Sequence, residues 1–236
     1  MTDIKREKRL AAQRSLEYVH DGMCLGLGSG STAAIMLELL GQRVREGLRV
    51  RGVPTSETSR QLAAREGIPL VGFDAISQLD LTIDGADEVD RDLNLIKGGG
   101  GALLREKIVA SLSQRVVIIV DSHKQVQRLG AFALPIEVVQ FAWRPLAERL
   151  GKLGVQPVLR PGRNGQPLVT DEGNFILDCA FGRIDDPVAL AALLNQLPGV
   201  VEHGLFVGLA HTVIVGRGET TEVLERGGTG PSSMGS

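Results

Sequence analysis

The chain has 236 residues, 43% of them hydrophobic, and a formal net charge of −2. That length and apolar content suit one large domain or two unequal ones with a real core. The weak charge and a pI of about 6.1 argue against a nucleic-acid partner, which shows as a basic patch or a high pI.

The charged opening MTDIKREKRL lacks the apolar region of a signal peptide. The run VVIIV, Val116 to Val120, suits a buried strand and is too short for a membrane span. A cytoplasmic protein with no membrane partner is expected. Cys24 and Cys179 lie far apart among apolar neighbours and read as buried free thiols of a reducing compartment.

In chain order, the first 20 residues predict a helix with Leu10, Ala11, Leu16 and Val19 on one face. Lys5, Arg6, Lys8 and Arg9 read as its solvated side, with contact of one of them to a phosphate as the alternative. GMCLGLG predicts a buried strand, and STAAIMLELLGQRV a helix capped by Ser31 or Thr32. LRVRGVPTS is a second strand with a polar end, ETSRQLAAREG a helix stopped by Gly67, and IPLVGF a short third strand. LDLTIDGADEVD predicts a strand running into an acidic loop, GALLREKIVASLS a helix and RVVIIVDS another strand. Strands alternating with helices imply a largely parallel, doubly wound sheet.

The rhythm changes after Gly130. LPIEVV, RPLAERLGKLG, VQPVLR, NFILDCAFG, DPVALAALLNQL and VVEHGLFV give the order βαββαβ of a ferredoxin-like unit. Trp143, Phe132 and Phe141 are expected to pack inside it. AHTVIVGRG returns to the first unit. The expected division is an α/β Rossmann-like domain of residues 1–130 and 208–226, an inserted ferredoxin-like α+β domain of 131–207, and a Gly/Ser-rich disordered tail over 227–236.

Three stretches carry chemistry. GLGSGSTAA, Gly26 to Ala34, is a glycine-rich turn between a strand and a helix, where free N–H groups and the helix dipole favour an anion. A dinucleotide fingerprint fails because Ser31 stands where the third glycine belongs and no acidic residue follows the second strand; a Walker motif fails for want of Gly-Lys-Ser/Thr. A single phosphate fits, and so does an ordinary turn. TIDGADEVD places Asp84, Asp87, Glu88 and Asp90 at a strand's carboxyl end, where open α/β sheets bind ligands. A calcium loop starting at Asp90 fails, since Leu95 and Gly101 stand where Gly and Glu are required. IKGGGGALLREK sets Lys97 before four glycines, Gly98 to Gly101, and Glu106 in the helix beyond them. A carboxylate, a cation and backbone N–H groups are the parts needed to move a proton beside a carbonyl. Taken alone, Glu106 also reads as an exposed helix residue. Lys124, in DSHKQ, follows a strand end and can reach the same cleft. His20, His123, His203 and His211 show no metal-ligand spacing.

In their order and spacing, GLGSGSTAA, TIDGADEVD, KGGGGALLREKIVA and DSHKQV closely resemble ribose-5-phosphate isomerase of the A type, over roughly Lys5 to Leu224. The resemblance implies a Rossmann-like domain with a ferredoxin-like insertion. It also implies isomerisation of ribose 5-phosphate and ribulose 5-phosphate in the non-oxidative pentose phosphate pathway, through an enediolate, with no metal or cofactor. Carried over by motif, Glu106 would move the proton between C2 and C1. Asp84 and Asp87 of Asp84-Gly85-Ala86-Asp87 would bind sugar hydroxyls and help open the ring. Lys97 with Gly98, Gly99 and Gly100 would stabilise the enediolate oxygen, and Ser29, Gly30, Ser31 and Thr32 would hold substrate. Lys124 would be a further contact, and Lys8 aligns with a basic position near the phosphate. The family forms dimers or tetramers. Ser29 replaces a threonine common in the family loop and keeps its hydroxyl, and the tail after Leu224 has no match. Two other readings remain open here: a CoA transferase or amino-sugar phosphate deaminase on a similar fold, and a sugar-phosphate sensor without turnover.

Overall fold

The computed structural model describes residues 3–162 and 165–227. The first part of the chain gives α1 (Asp3–Ser15), β1 (Cys24–Leu27), α2 (Ser31–Arg45), β2 (Arg51–Pro54), α3 (Glu57–Arg65), β3 (Leu79–Asp84), β4 (Glu88–Val89), β5 (Leu95–Ile96), α4 (Leu103–Ser111) and β6 (Ser113–Asp121). The second gives β7 (Leu134–Val138), α5 (Trp143–Gly151), β8 (Pro157–Leu159), β9 (Phe175–Cys179), α6 (Pro187–Asn195), β10 (Val200–His203), β11 (Leu205–Phe206), β12 (Thr212–Arg217) and β13 (Thr220–Glu225).

Six strands form the main sheet in the order β13-β12-β6-β3-β1-β2. Only β13 runs antiparallel, at one edge. Val116 to Val120 are all buried, as a strand covered by helices on both faces requires. From β1 the chain moves outward to β2, then returns to β3 on the other side, so the crevice between the carboxyl ends of β1 and β3 is the topological switch point. Both GLGSG and DGAD sit there.

The second unit is a four-stranded antiparallel sheet in the order β10-β7-β9-β8, the ferredoxin-like arrangement. Ile136, Val138, Leu177 and Cys179 pack there with Leu146 and Leu150 of α5 and Leu194 of α6. The architecture is therefore α/β, a Rossmann-like sheet joined to a ferredoxin-like α+β unit. Both cysteines are free and buried.

Three details depart from the sequence reading. IPLVGF forms no strand: Leu70 makes a single bridge to Gly52, closed by Gly52 N–H to Pro69 O and Val71 N–H to Gly52 O. VVEHGLFV breaks at Gly204, and Leu205–Phe206 joins β5 and β4 in a separate three-stranded sheet. A Cβ at Gly204 would stand 2.3 Å from Lys97 O, so that crossing admits only glycine. Phe132 and Trp143 pack on the second core, but Phe141 is 99% exposed, held outward by a 3₁₀ turn over Gln140–Ala142. The expected disordered tail lies, from residue 228 onward, outside the described residues.

Candidate active site

The anion end of the cleft forms where β1 gives way to α2. Gly30 takes φ +91°, a conformation that favours glycine, and α2 starts at Ser31. Neither Ser31 nor Thr32 caps the helix. The helix has no side-chain cap, so its first N–H groups stay available and the dipole stays open to an anion. Lys8 Nζ lies 3.0 Å from Ser31 Oγ, and Lys8 and Lys124 line the same cleft of about 120 Å³ as Ser29 to Thr32. Lys8 thus leaves the solvated group expected for its helix. Arg6 is tied to Gly218 O and Asp3.

Gly28 sets how closely β1 and β3 approach. A Cβ there would stand 2.3 Å from Asp84 Oδ1 and 2.5 Å from Asp84 Cα. That closeness lets Ser29 N–H (2.9 Å) and Gly85 N–H (2.7 Å) both donate to Asp84 Oδ1. The other Asp84 oxygen lies 3.0 Å from Lys97 Nζ, and Lys97 donates to Gly85 O at 2.5 Å. Across the cleft, Lys97 Nζ lies 3.4 Å from Glu106 Oε2. Asp87 Oδ2 accepts Gly99 N–H at 2.8 Å. Gly85, Ala86, Gly98, Gly99 and Gly100 line this end. Glu88 and Asp90 belong to the scaffold: Glu88 accepts Gly130 and Phe132 N–H, and Asp90 accepts Asp92 and Asn94 N–H.

The electrostatics follow from burial. Burial pushes the Glu106 carboxyl up, the Lys97 charge holds it down, and Asp84 and Asp87 push it up again, leaving it at about 8. Burial alone would lower Lys97, but Asp84 and then Glu106 outweigh it, and the ammonium is held more firmly than usual. A carboxylate poised near neutral pH beside a fixed cation can take and return a proton. The reading of Glu106 as an exposed helix residue is wrong, because its side chain is buried.

Three features were missed by the sequence reading. Ser29 Oγ sits among the hydroxyls of Thr55 (2.7 Å), Ser56 (2.7 Å) and Ser59 (3.0 Å), which hold the loop from the neighbouring strand end. The hydroxyl-rich stretch PTSETS was the available signal. Phe206 is buried with Lys97 Nζ 5.5 Å and Lys107 Nζ 4.9 Å from its ring centroid. No local pattern marked it. Glu7, Asp121 and His123 gather within 4.8 Å, an encounter that the histidine spacing alone did not suggest. Glu7 already accepts Ser122 N–H, Ser122 O–H and Gly218 N–H, which makes it a docking point for α1.

Residues 51–220 match the protein family described as ribose 5-phosphate isomerase A, or phosphoriboisomerase A. The chain is 56% identical over 225 residues to ribose-5-phosphate isomerase A of Nitrobacter hamburgensis, covering 93% of this chain and 97% of that protein. It is 53% identical to the Bradyrhizobium diazoefficiens protein of that name, covering 93% and 95%. A solved D-ribose-5-phosphate isomerase in complex with phospho-erythronic acid superposes with a TM-score of 0.93 at 42% identity, covering 96% of this chain and 100% of that one. The ribose 5-phosphate isomerase A of Methanocaldococcus jannaschii gives 0.90 at 40% identity, covering 94% and 99%.

Proposed function

The chain belongs to the ribose 5-phosphate isomerase A family and interconverts ribose 5-phosphate and ribulose 5-phosphate; we propose that Glu106 carries the proton between C2 and C1 through a metal-free enediolate. The observation that carries this reading is a buried carboxylate with a pKa near 8, at one end of a cleft whose other end is an uncapped helix start flanked by Lys8 and Lys124.

Phosphate binds at Ser31 and Thr32 with Lys8 and Lys124, and the opened sugar reaches toward Asp84. Asp84 and Asp87 hold its hydroxyls and assist ring opening. Glu106 removes the C2 proton, the electrons move onto the carbonyl oxygen at C1, and Lys97 with the glycine-loop N–H groups balances the charge. Glu106 then returns the proton to C1 while the proton of the C2 hydroxyl passes to the C1 oxygen, which leaves a C2 carbonyl and a C1 hydroxyl. Lys97 occupies the electrophile's place, so the step is complete without a metal or cofactor. A phosphorylated four-carbon aldonate, whose planar carboxylate copies the enediolate, is the expected competitive inhibitor.

With this reading go three further proposals. The catalytic unit reaches to residue 130 and resumes at 208–226, with 131–207 as the second unit. The setting is cytoplasmic, supported by two buried free thiols; no described helix is long and apolar enough to cross a membrane. The assembly is a homodimer or homotetramer, to be read by light scattering.

The test is ribulose 5-phosphate formation from ribose 5-phosphate with EDTA present, for the wild type and Glu106→Gln, with thermal unfolding alongside. Robust wild-type turnover that drops at least ~10²-fold in the variant, with folding retained, supports the assignment. Turnover surviving the substitution moves the base elsewhere.

A further inference from the structure

We propose that Arg160, reaching over from the second unit, is a positioning residue that aims a glycine-loop N–H group at the developing enediolate. The inference rests on the proton-transfer reading above.

Arg160 directly follows β8 and its side chain is 12% exposed. Its guanidinium is fixed by a two-point pairing with Asp178, Nε to Oδ2 at 2.9 Å and Nη2 to Oδ1 at 2.5 Å. A bidentate fork of this kind sets the plane of the group as well as its place. The remaining nitrogen, Nη1, donates to Gly98 O at 2.8 Å and to Gly99 O at 3.2 Å.

In a planar trans peptide the C=O and the following N–H point in opposite directions. Holding Gly98 O toward Arg160 therefore turns Gly99 N–H the other way, where it meets Asp87 Oδ2 at 2.8 Å. Holding Gly99 O turns Gly100 N–H the other way too. That N–H has no hydrogen-bond partner among the described residues, and Gly100 lines the cleft with Lys97 and Glu106. Glycine peptides rotate easily. The Gly98–Gly99 peptide is also held from within the loop, where Gly101 N–H donates to Gly98 O at 3.0 Å, so the peptide whose facing Arg160 decides is Gly99–Gly100.

The test compares Arg160→Lys, which keeps the charge but loses the fork, and Arg160→Ala with the wild type, with Glu106→Gln run in parallel. Losing one preorganised donor predicts kcat lower by ~10²-fold. KM for ribose 5-phosphate and inhibition by inorganic phosphate should stay within about twofold, because the phosphate end is untouched. Affinity for the phosphorylated four-carbon aldonate should fall in parallel with kcat. Guanidinium ion should restore part of the kcat of Arg160→Ala where sodium chloride of equal ionic strength does not. Unchanged kcat in both variants, or kcat and phosphate affinity worsening together, overturns the assignment. If Glu106→Gln keeps its turnover, the proton-transfer reading fails instead; if it is dead while Arg160→Lys is fully active, only the role of Arg160 fails.

Discussion

The ammonium of Lys97 lies 3.4 Å from Glu106 Oε2, and the same nitrogen lies 3.0 Å from Asp84 Oδ2. One buried cation therefore serves two buried carboxylates, and its removal does two separable things. Lys97→Met should lower kcat by ~10²- to 10³-fold, the usual cost of a lost oxyanion partner. It should also raise the Glu106 pKa above about 8, since the Lys97 charge holds that carboxyl down. An unpaired Asp84 should destabilise the fold by about 3–5 kcal/mol. Turnover, a carbon-13 titration of Glu106 and urea unfolding read the three effects. A Glu106 pKa that does not rise would disprove the coupling.

Glu106 ionises at about 8 against an ordinary value of 4.5, burial being the first cause. The base works ionised, so kcat/KM for ribose 5-phosphate should climb about tenfold per pH unit below that value and level off above it. Asp84→Asn removes a charge that pushes Glu106 up, so its titration should move to lower pH. Linkage has a definite sign here. With the folded pKa raised, the group's stabilising contribution is full below pH 4.5 and is lost as pH rises through about 8. Glu106→Gln should therefore gain on the wild type in melting temperature between pH 5 and pH 9. The gain should be worth a few kcal/mol at most, since each pH unit separating the folded and unfolded pKa is worth about 1.4 kcal/mol. A difference flat in pH would mean that the carboxyl is not perturbed by folding.

The residues proposed as catalytic could be picked out because each one sits in a short motif at a strand or helix end. Asp84 and Lys124 stand at carboxyl ends of the parallel sheet, and Lys97 after β5 and Glu106 near the start of α4 meet them at the same crevice. What escaped the sequence is what depends on tertiary encounters. Two-residue strands such as Glu88–Val89 have no periodicity to detect. Phe206, on β11 beside β5, and Arg160, after β8, reach the site after long stretches of chain. Phe141 was expected inside because of its chemistry, but a turn decides where it points.

Lys8 and Lys124 line the end of the cleft where we propose that phosphate binds. Their charge acts on a group that does not change during the reaction, so it contributes uniform binding. Lys8→Ala and Lys124→Ala should each raise KM and weaken inhibition by inorganic phosphate by ~10-fold, with kcat within about twofold. Added salt should narrow part of the gap to the wild type, because half-buried charge is still partly screened. A fall in kcat at unchanged KM would move either lysine to the reacting end.

Two glycines separate packing from catalysis. At Gly28 a Cβ would stand 2.3 Å from Asp84 Oδ1 and 2.5 Å from Asp84 Cα, so Gly28→Ala must push β3 away or turn the carboxylate out of the cleft. Overpacking of that kind costs about 1–3 kcal/mol, and it moves Asp84 away from Lys97. Melting temperature and turnover should fall together. At Gly100 a Cβ meets nothing within 4 Å, and the backbone is not in the left-handed region. Gly100→Ala should keep its melting temperature or gain slightly, through a less flexible unfolded chain. Its methyl projects into open space beside a residue lining the cleft, so KM should rise while the fold holds. If Gly100→Ala loses stability as Gly28→Ala does, the glycine run is a requirement of folding; if it loses only substrate affinity, Gly100 is there for the bound sugar.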